Sequence, residues 1–344
     1  MKNTYWYDLA GDRIAQSPAV PRDSNKLLVY DTQTDSLVID SFYHLDSYLE
    51  PSSVITLNDS RVVPVRVALH KKTGGKIVVL FLINEWINNT TRPIPCLFDR
   101  KGSVGENLYF DDKSFVTVQS QEEALFYVSW TERPEALISL LEAQGTMPIP
   151  PYIKNTPLSR DELLEQYQTV FAKKQGSSAA PTASLHFTRR VFEALEKKGV
   201  QQTNITLHVG MGTFAPLTKQ NLRENKLHNE WYEVRDETFQ FIEKSKKEGK
   251  KIIAVGTTVV RTLESIAKNK TLNGKTDLFI KAPYRFVIVD GLITNFHLPG
   301  SSLMMLVDAF LEYKQSKRRI LELYDFAIKH DFMFYSFGDA MLIL

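Results

Sequence analysis

Ile252–Asn269 reads IIAVGTTVVRTLESIAKN. Four apolar residues suit a buried strand, Gly256 ends it, and the residues after it suit a helix. On this reading Thr257 and Thr258 cap the helix, and free backbone donors converge just past the strand, where a carboxylate or phosphate would bind. Arg261 and Glu264 lie three apart on one helix face. They form either an ordinary surface ion pair or a clamp and acid/base pair beside a ligand, and spacing alone leaves both open.

The same texture extends outward. TNITLHV, a helix opened by Asp236, IIAVG, TTVVRTLESIAKN, FVIVDGLITNF and SSLMMLVDAFLEY alternate strand with helix, and the early LLVYD and SVITLND match them. Strand–helix alternation predicts a layered α/β core. From about Ser60 to Trp130 the pattern changes to short β-type runs, VVPVRVAL, KIVVLFLI, NLYF, SFVTV and ALFYVSW, separated by turn signals such as Thr73-Gly74-Gly75. That spacing predicts a small antiparallel barrel or sandwich inserted into one larger domain. The expected division is a main α/β domain of residues 1–62 and 148–344 and an inserted β-barrel domain of 63–147. MPIPPYIK (147–154), with three prolines in five residues, is read as an extended connector: a hinge, compatible with a wall of a binding cleft.

Composition limits the function classes. The chain has 344 residues, 43% of them hydrophobic, enough for more than one core. The 42 Lys and Arg nearly balance the 40 Asp and Glu, so a nucleic-acid surface must come from local clusters such as KSKKEGKK and KQSKRR, each more simply a solvated helix end or loop. A single cysteine, Cys96, excludes an internal disulfide and a cysteine-built zinc site, and fits a cytoplasmic setting. The first residues lack the apolar core of a signal peptide and no run is long enough to span a bilayer, so a soluble protein without membrane partners, a monomer, is expected. GxGxxG, GxxxxGK[ST] and GxSxG patterns are absent, which removes the main support for dinucleotide, P-loop and α/β-hydrolase readings.

Four of the seven histidines sit where an apolar run meets a Gly, Pro, Asn or Thr cluster: His186 in SSAAPTASLHFT, His208 in LHVGMGTF, His228 in KLHNEWYEV and His297 in ITNFHLPGSS. Alone, each is an ordinary structural histidine; together they predict rings that share one pocket and carry protons. No pair has the i,i+4 spacing of a helical metal site, and no metal is expected. Gly210 and Gly212 permit positive φ or close backbone approach to a ligand, with Thr213 and Phe214 beside them. Asn295 precedes a helix capped by Ser301, and the methionine-rich face of that helix reads as core. Asp59 and Arg61 follow the strand VIT, where α/β proteins place ligands. Asp339, next to Gly338, reads first as a turn residue.

These segments, in order, resemble one family, the S-adenosylmethionine:tRNA ribosyltransferase-isomerases of queuosine biosynthesis. The matching pieces are IAQSPAVPRDSNKLLVYD, LNDSRVVPVR, TGGK, MPIPPYIK, YQTVFA, GSSAAPTASLHFT, LHVGMGTFAPL, HNEWYEV, AVGTTVVRTLES, ITNFHLPGSSLMML and YSFGDAMLI, spread from Ile14 to Ile343. The resemblance implies an α/β domain with an inserted barrel, tRNA and S-adenosylmethionine as substrates, and no prosthetic group. It also implies a reaction in which the ribosyl part of S-adenosylmethionine is rearranged onto 7-aminomethyl-7-deazaguanine at the wobble position, with loss of adenine and methionine. Such chemistry needs a base for an acidified C5′ hydrogen and an acid for the departing adenine. His186 and His208 are the first candidates, His228 and His297 the next. Phe187 or Phe214 would stack on adenine, and the turn Gly256–Thr258 with Arg261 would hold the methionine carboxylate or a tRNA phosphate. Thr182, Asp59, Arg61, Glu264, Asn295 and Asp339 are carried by the motifs as site-lining residues without assigned roles. The chain departs from the usual pattern at Ser184, Val259, Pro283 and Phe337, and in the barrel at Val78, where a basic segment is also missing. A diverged relative that binds RNA or a nucleoside without turnover is the alternative. A Ser184–His186 hydrolase, the two side chains sharing one strand face, is a third reading.

Overall fold

The structure is a computed structural model that describes residues 5–210 and 217–344. Its strands are β1 (Lys26–Asp31), β2 (Ser36–Ser41), β3 (Val54–Asn58), β4 (Ser60–Val62), β5 (Arg66–Lys71), β6 (Lys76–Phe81), β7 (Ile94–Phe98), β8 (Asn107–Tyr109), β9 (Phe115–Glu122), β10 (Leu125–Ser129), β11 (Lys174–Ser177), β12 (Gln201–Leu207), β13 (Lys226–Glu233), β14 (Ile252–Val255), β15 (Asn273–Leu278), β16 (Gly291–Asn295) and β17 (Ala340–Ile343).

Nine of them form a mixed sheet in the order β15-β13-β12-β3-β14-β16-β17-β1-β2. Its centre, β12, β3, β14 and β16, is parallel. These central strands are apolar on both faces because both are covered, as expected for parallel strands. Val54, Ile252, Ala254 and Leu292 face one core, with Val259, Val260, Leu263 and Ile266 of the helix Thr257–Asn269. Ile55, Leu57, Ile253, Val255 and Ile293 face the other, against Val191 and Leu195 of the helix Arg189–Lys198. Each fully buried aliphatic side chain contributes about 1.5–3 kcal/mol before conformational entropy is subtracted. The layered α/β expectation holds, and the helix after Gly256 runs over the residues read for it.

The barrel is closed, in the order β10-β7-β6-β5-β8-β9, every pairing antiparallel. Its inward residues, among them Val67, Leu69, Ile77, Val79, Val116 and Val128, make a core of their own that Leu137, Ile138 and Leu141 of the helix Pro134–Gln144 complete. The chain leaves for the barrel through β4 and returns through β11, and these two pair in parallel, Ser60 opposite Lys174. The exit therefore lies immediately past β3, at the carboxyl edge of the large sheet.

Two segments differ from the sequence reading. Ile94–Phe98 is a barrel strand although prolines stand before and within it; Pro95 has no N–H to give, and its carbonyl accepts from Leu82 N (2.8 Å). FVIVDGLITNF holds a strand only from Gly291. The backbone N–H groups of Val287, Ile288 and Val289 donate to the Glu264 carboxylate at 2.9, 3.0 and 3.2 Å, which takes this apolar stretch out of any ladder. The connector 147–154 carries no helix or ladder strand, as three prolines dictate.

Candidate functional site

The carboxyl ends of the parallel strands lie side by side and end in polar residues. In sheet order they present His208 after β12, Asn58 at the end of β3, Gly256 after β14 and Asn295 at the end of β16; the antiparallel β17 starts opposite, Ala340 paired with Asn295. Between β14, β16 and the segment leading into β17 is a small recess, open to solvent. Its walls include Thr182, Gly256, Thr257, Thr258, Thr294, Asn295, His297, Tyr152, Tyr335 and Ser336.

Gly256 is the cap of the helix Thr257–Asn269, at φ 90°, a conformation that a side chain would resist. The threonines are thus the first two helical residues and not caps. Both line the recess, so the positive end of a 13-residue helix is directed into it. Asn58 braces this corner: it exchanges hydrogen bonds with the Leu207 backbone, 3.0 Å each way, and donates to Thr258 Oγ1 at 3.4 Å.

On the next strand, Asn295 Oδ1 accepts from Thr182 Oγ1 (2.9 Å), and its amide nitrogen lies 3.2 Å from His186 Nε2. His297 Nε2 is 2.8 Å from Thr294 Oγ1, its backbone N–H donates to Tyr324 Oη (2.7 Å), and its carbonyl accepts from Tyr7 (2.5 Å). Burial lowers the His297 imidazole to about 3. The side chain is neutral at pH 7.

The expected common pocket of four histidines is corrected: of the four, His297 lines the recess. His186 is buried behind Asn295 against Phe42, and burial, with Arg22 nearby, lowers it to about 4. His208 lies three strands from β16. It is stacked on Trp231 with ring centroids 5.3 Å apart, its Nδ1 is 2.9 Å from Ser60 Oγ, and a Cβ on Gly176 would come within 2.8 Å of its Nε2. Burial, then the Lys174 charge, lower it to about 4. His228 is exposed on β13.

Other expectations are sorted by the same geometry. Arg261 and Glu264 do not pair: the buried Arg261 bridges to Glu230 and donates to Leu278 O (3.1 Å), while Glu264 is occupied by the three amides above. Phe187 is fully buried against Phe42 and Phe192 and packs as core. Gly210 is not at positive φ; its N–H donates to Glu230 (2.9 Å), and a Cβ there would press on Asn84 of the barrel segment at 2.9 Å, so the close approach is to protein. Gly212, Thr213 and Phe214 lie outside the described residues. Asp59 accepts from Thr206 (2.7 Å) at the barrel exit, its carboxyl raised by burial, and Arg61 follows on β4; neither lines the recess. Asp339 accepts backbone N–H groups from Lys26 (2.8 Å) and Met333 (2.7 Å), and burial raises it to about 6. Ser184 lies in a 3-10 turn, Thr182–Ser184, not on a strand, and its buried hydroxyl has no partner, which removes the shared-face argument for a hydrolase.

Sequence reasoning missed Tyr152, Tyr335 and Ser336 as recess residues. The signals were there, in the cleft-wall option for MPIPPYIK and in the YSFGDAMLI motif. Both basic clusters are helix ends or loops, with Lys246 bound to Asp290 and Arg318 and Arg319 to Asp35 and Asp308. Among the described residues no group of three His, Cys, Asp or Glu side chains is placed to hold a metal, and no helix is long and apolar enough to cross a membrane.

A recess at the carboxyl edge of a parallel-centred sheet, with a helix N-terminus in its wall, in a chain that also carries a closed antiparallel barrel, places the protein among mixed α/β proteins whose ligands bind past the strand ends. Residues 2–343 match the family described as queuosine biosynthesis protein, and the chain belongs to that family. It is 43% identical to the S-adenosylmethionine:tRNA ribosyltransferase-isomerase of Thermotoga petrophila and 40% identical to that of Carboxydothermus hydrogenoformans, with 98% of each chain covered in both cases. The crystal structure of S-adenosylmethionine tRNA ribosyltransferase from Thermotoga maritima matches 99% of both chains at 32% identity, with a TM-score of 0.55.

Proposed function

We propose that this protein is a cytoplasmic tRNA-modifying transferase-isomerase. It moves and rearranges the ribosyl group of S-adenosylmethionine onto 7-aminomethyl-7-deazaguanine at the wobble position, releasing adenine and methionine. The observation that carries the assignment is full-length membership of the family together with a recess whose chemistry suits this co-substrate. The donors at Thr257 and Thr258 receive the methionine carboxylate. A neutral His297 in the same recess does not repel the sulfonium and is the candidate to take a C5′ proton. Asn295 orients the polar wall between Thr182 and His186, making His186 a positioning residue. His208, at the barrel exit with Asp59 and Arg61, serves the side from which the tRNA enters. On this reading residues 63–147 form the barrel domain and 1–62 with 148–344 the catalytic domain, and the protein acts as a monomer.

The test incubates the protein with S-adenosylmethionine and tRNA carrying the deazaguanine precursor, following free adenine and the mass of the tRNA. Adenine release with a matching mass gain supports the assignment. Binding of either substrate without adenine release overturns it in favour of a non-catalytic relative.

A further inference from the structure

The recess has a second chemical end. Tyr152, from the connector that returns from the barrel, and Tyr335, from the segment entering β17, line it together, their ring centroids 4.8 Å apart at 54°. The Tyr152 hydroxyl is 2.6 Å from Ser336 Oγ, and its carbonyl accepts from Gln16 Nε2 (3.4 Å), whose Oε1 takes the N–H groups of Lys154 (2.9 Å) and Asn155 (3.0 Å). The connector is therefore fixed on both sides of the ring.

Tyr335 has φ 69°, a left-handed conformation costly for a bulky side chain and kept only where the surroundings over-determine it. The determinants are visible. Asp339 accepts from Met333 N and Lys26 N, its own N–H returns to Met333 O (2.8 Å), Asn25 Nδ2 donates to Gly338 O (2.7 Å), and Tyr335 N–H donates to Phe296 O (3.2 Å). Five hydrogen bonds hold one strained tyrosine against the recess.

The strand order sets the spacing. The helix N-terminus follows β14, Tyr335 precedes β17, and β16 with His297 lies between them. Two strand spacings put the two ends about 10 Å apart. That arrangement suits one elongated ligand with an anion at one end and a flat ring at the other.

We infer that Tyr152 is the aromatic wall against which the purine of S-adenosylmethionine lies, and that Tyr335, packed against its ring in the same wall, is the residue that positions it. The inference rests on the recess being the S-adenosylmethionine site. It replaces the buried Phe187 as the adenine-stacking group, and it makes Asp339 a clasp for the Tyr335 segment.

S-adenosylmethionine binding is measured by calorimetry on the intact chain without tRNA, with the melting temperature of each variant. Tyr152→Leu raises Kd about tenfold or more, whereas Tyr152→Phe, which keeps the ring, stays within about threefold. Tyr335→Gly accepts the backbone conformation without the ring and raises Kd about fivefold; Tyr335→Phe restores it. Thr182→Trp, which fills the recess, separates the two layers of the argument. If Thr182→Trp abolishes binding while Tyr152→Leu binds as tightly as the unaltered protein, the aromatic wall is refuted and the recess stands. If Thr182→Trp binds normally, the recess reading falls and the wall with it.

Discussion

The barrel and the carboxyl edge of the large sheet are both built of short strands, yet they treat their polar groups in opposite ways. In the barrel every strand has two neighbours, apolar residues close the interior, and polar residues pair locally, as Thr117 does with Asn107 and Gln119 with Ser129. At the sheet edge a recess opens past β14 and β16, with Thr182, Thr258, Thr294 and Asn295 in its wall, and a helix N-terminus opens into it. The barrel closes on itself; this edge leaves a recess open to solvent. Substitutions should therefore separate the two regions by what they change, stability in one and turnover in the other.

The largest effect is expected at the edge. His297→Ala should lower turnover about a hundredfold or more, the usual range for a lost general base, while the melting temperature shifts by a few degrees. Near-normal turnover would move the base elsewhere. Next is His208→Ala, expected to cost more than tenfold in turnover with stability roughly kept; full activity in that variant would make the Ser60–His208–Trp231 cluster purely structural. Glu264→Ala inverts the pattern: three amides lose their acceptor, the two buried ones, of Ile288 and Val289, at about 1–3 kcal/mol each, so it should melt far below the parent protein and yet turn over normally when assayed cold.

The titration of the same residues gives a pH test. His186 and His208 near 4 and His297 near 3 all lie below the ordinary 6.5. Below 6.5 the unfolded chain takes up protons that the folded chain refuses, so their contribution to stability is present above 6.5 and is lost as pH falls toward 4. Asp339, raised to about 6, and Asp59 and Glu264, also raised by burial, act with the opposite sign in the carboxylate range, but the three imidazoles are shifted further and outweigh them. Denaturant melts should show stability falling from pH 6.5 to 4.5, and a flat profile would contradict the neutral, buried histidines. The smallest expected effect on the recess comes from the barrel: Phe98→Ala breaks the Phe98–Phe126 stack (4.1 Å) and should leave S-adenosylmethionine affinity unchanged.

Much of this was legible in the sequence, for reasons that also mark where legibility ended. A strand–glycine–helix unit is specified locally, so Ile252–Asn269 could be read almost to the residue. The barrel was legible as texture, but β7 was hidden by prolines that tertiary pairing tolerates. The candidate site was legible as motifs and not as directions. His186, His208 and His297 occupy similar local sequence, and only the strand order decides which of them reaches the recess. Tyr335 could not be identified as strained from sequence, because its φ is imposed by Asn25, Lys26 and Phe296, two of them about 310 residues away.

The carboxylate of Glu264 has one more consequence, for the protein's life outside its fold. Phe286–Val289 is an uncharged β-prone run, and Val287 is 55% exposed. Held by its amides, this segment cannot offer a row of donors to another chain; released, it would present a sticky edge to any unfolded neighbour. One buried acid thus guards solubility as well as shape, and a Glu264 variant should be recovered in inclusion bodies before its chemistry is ever affected.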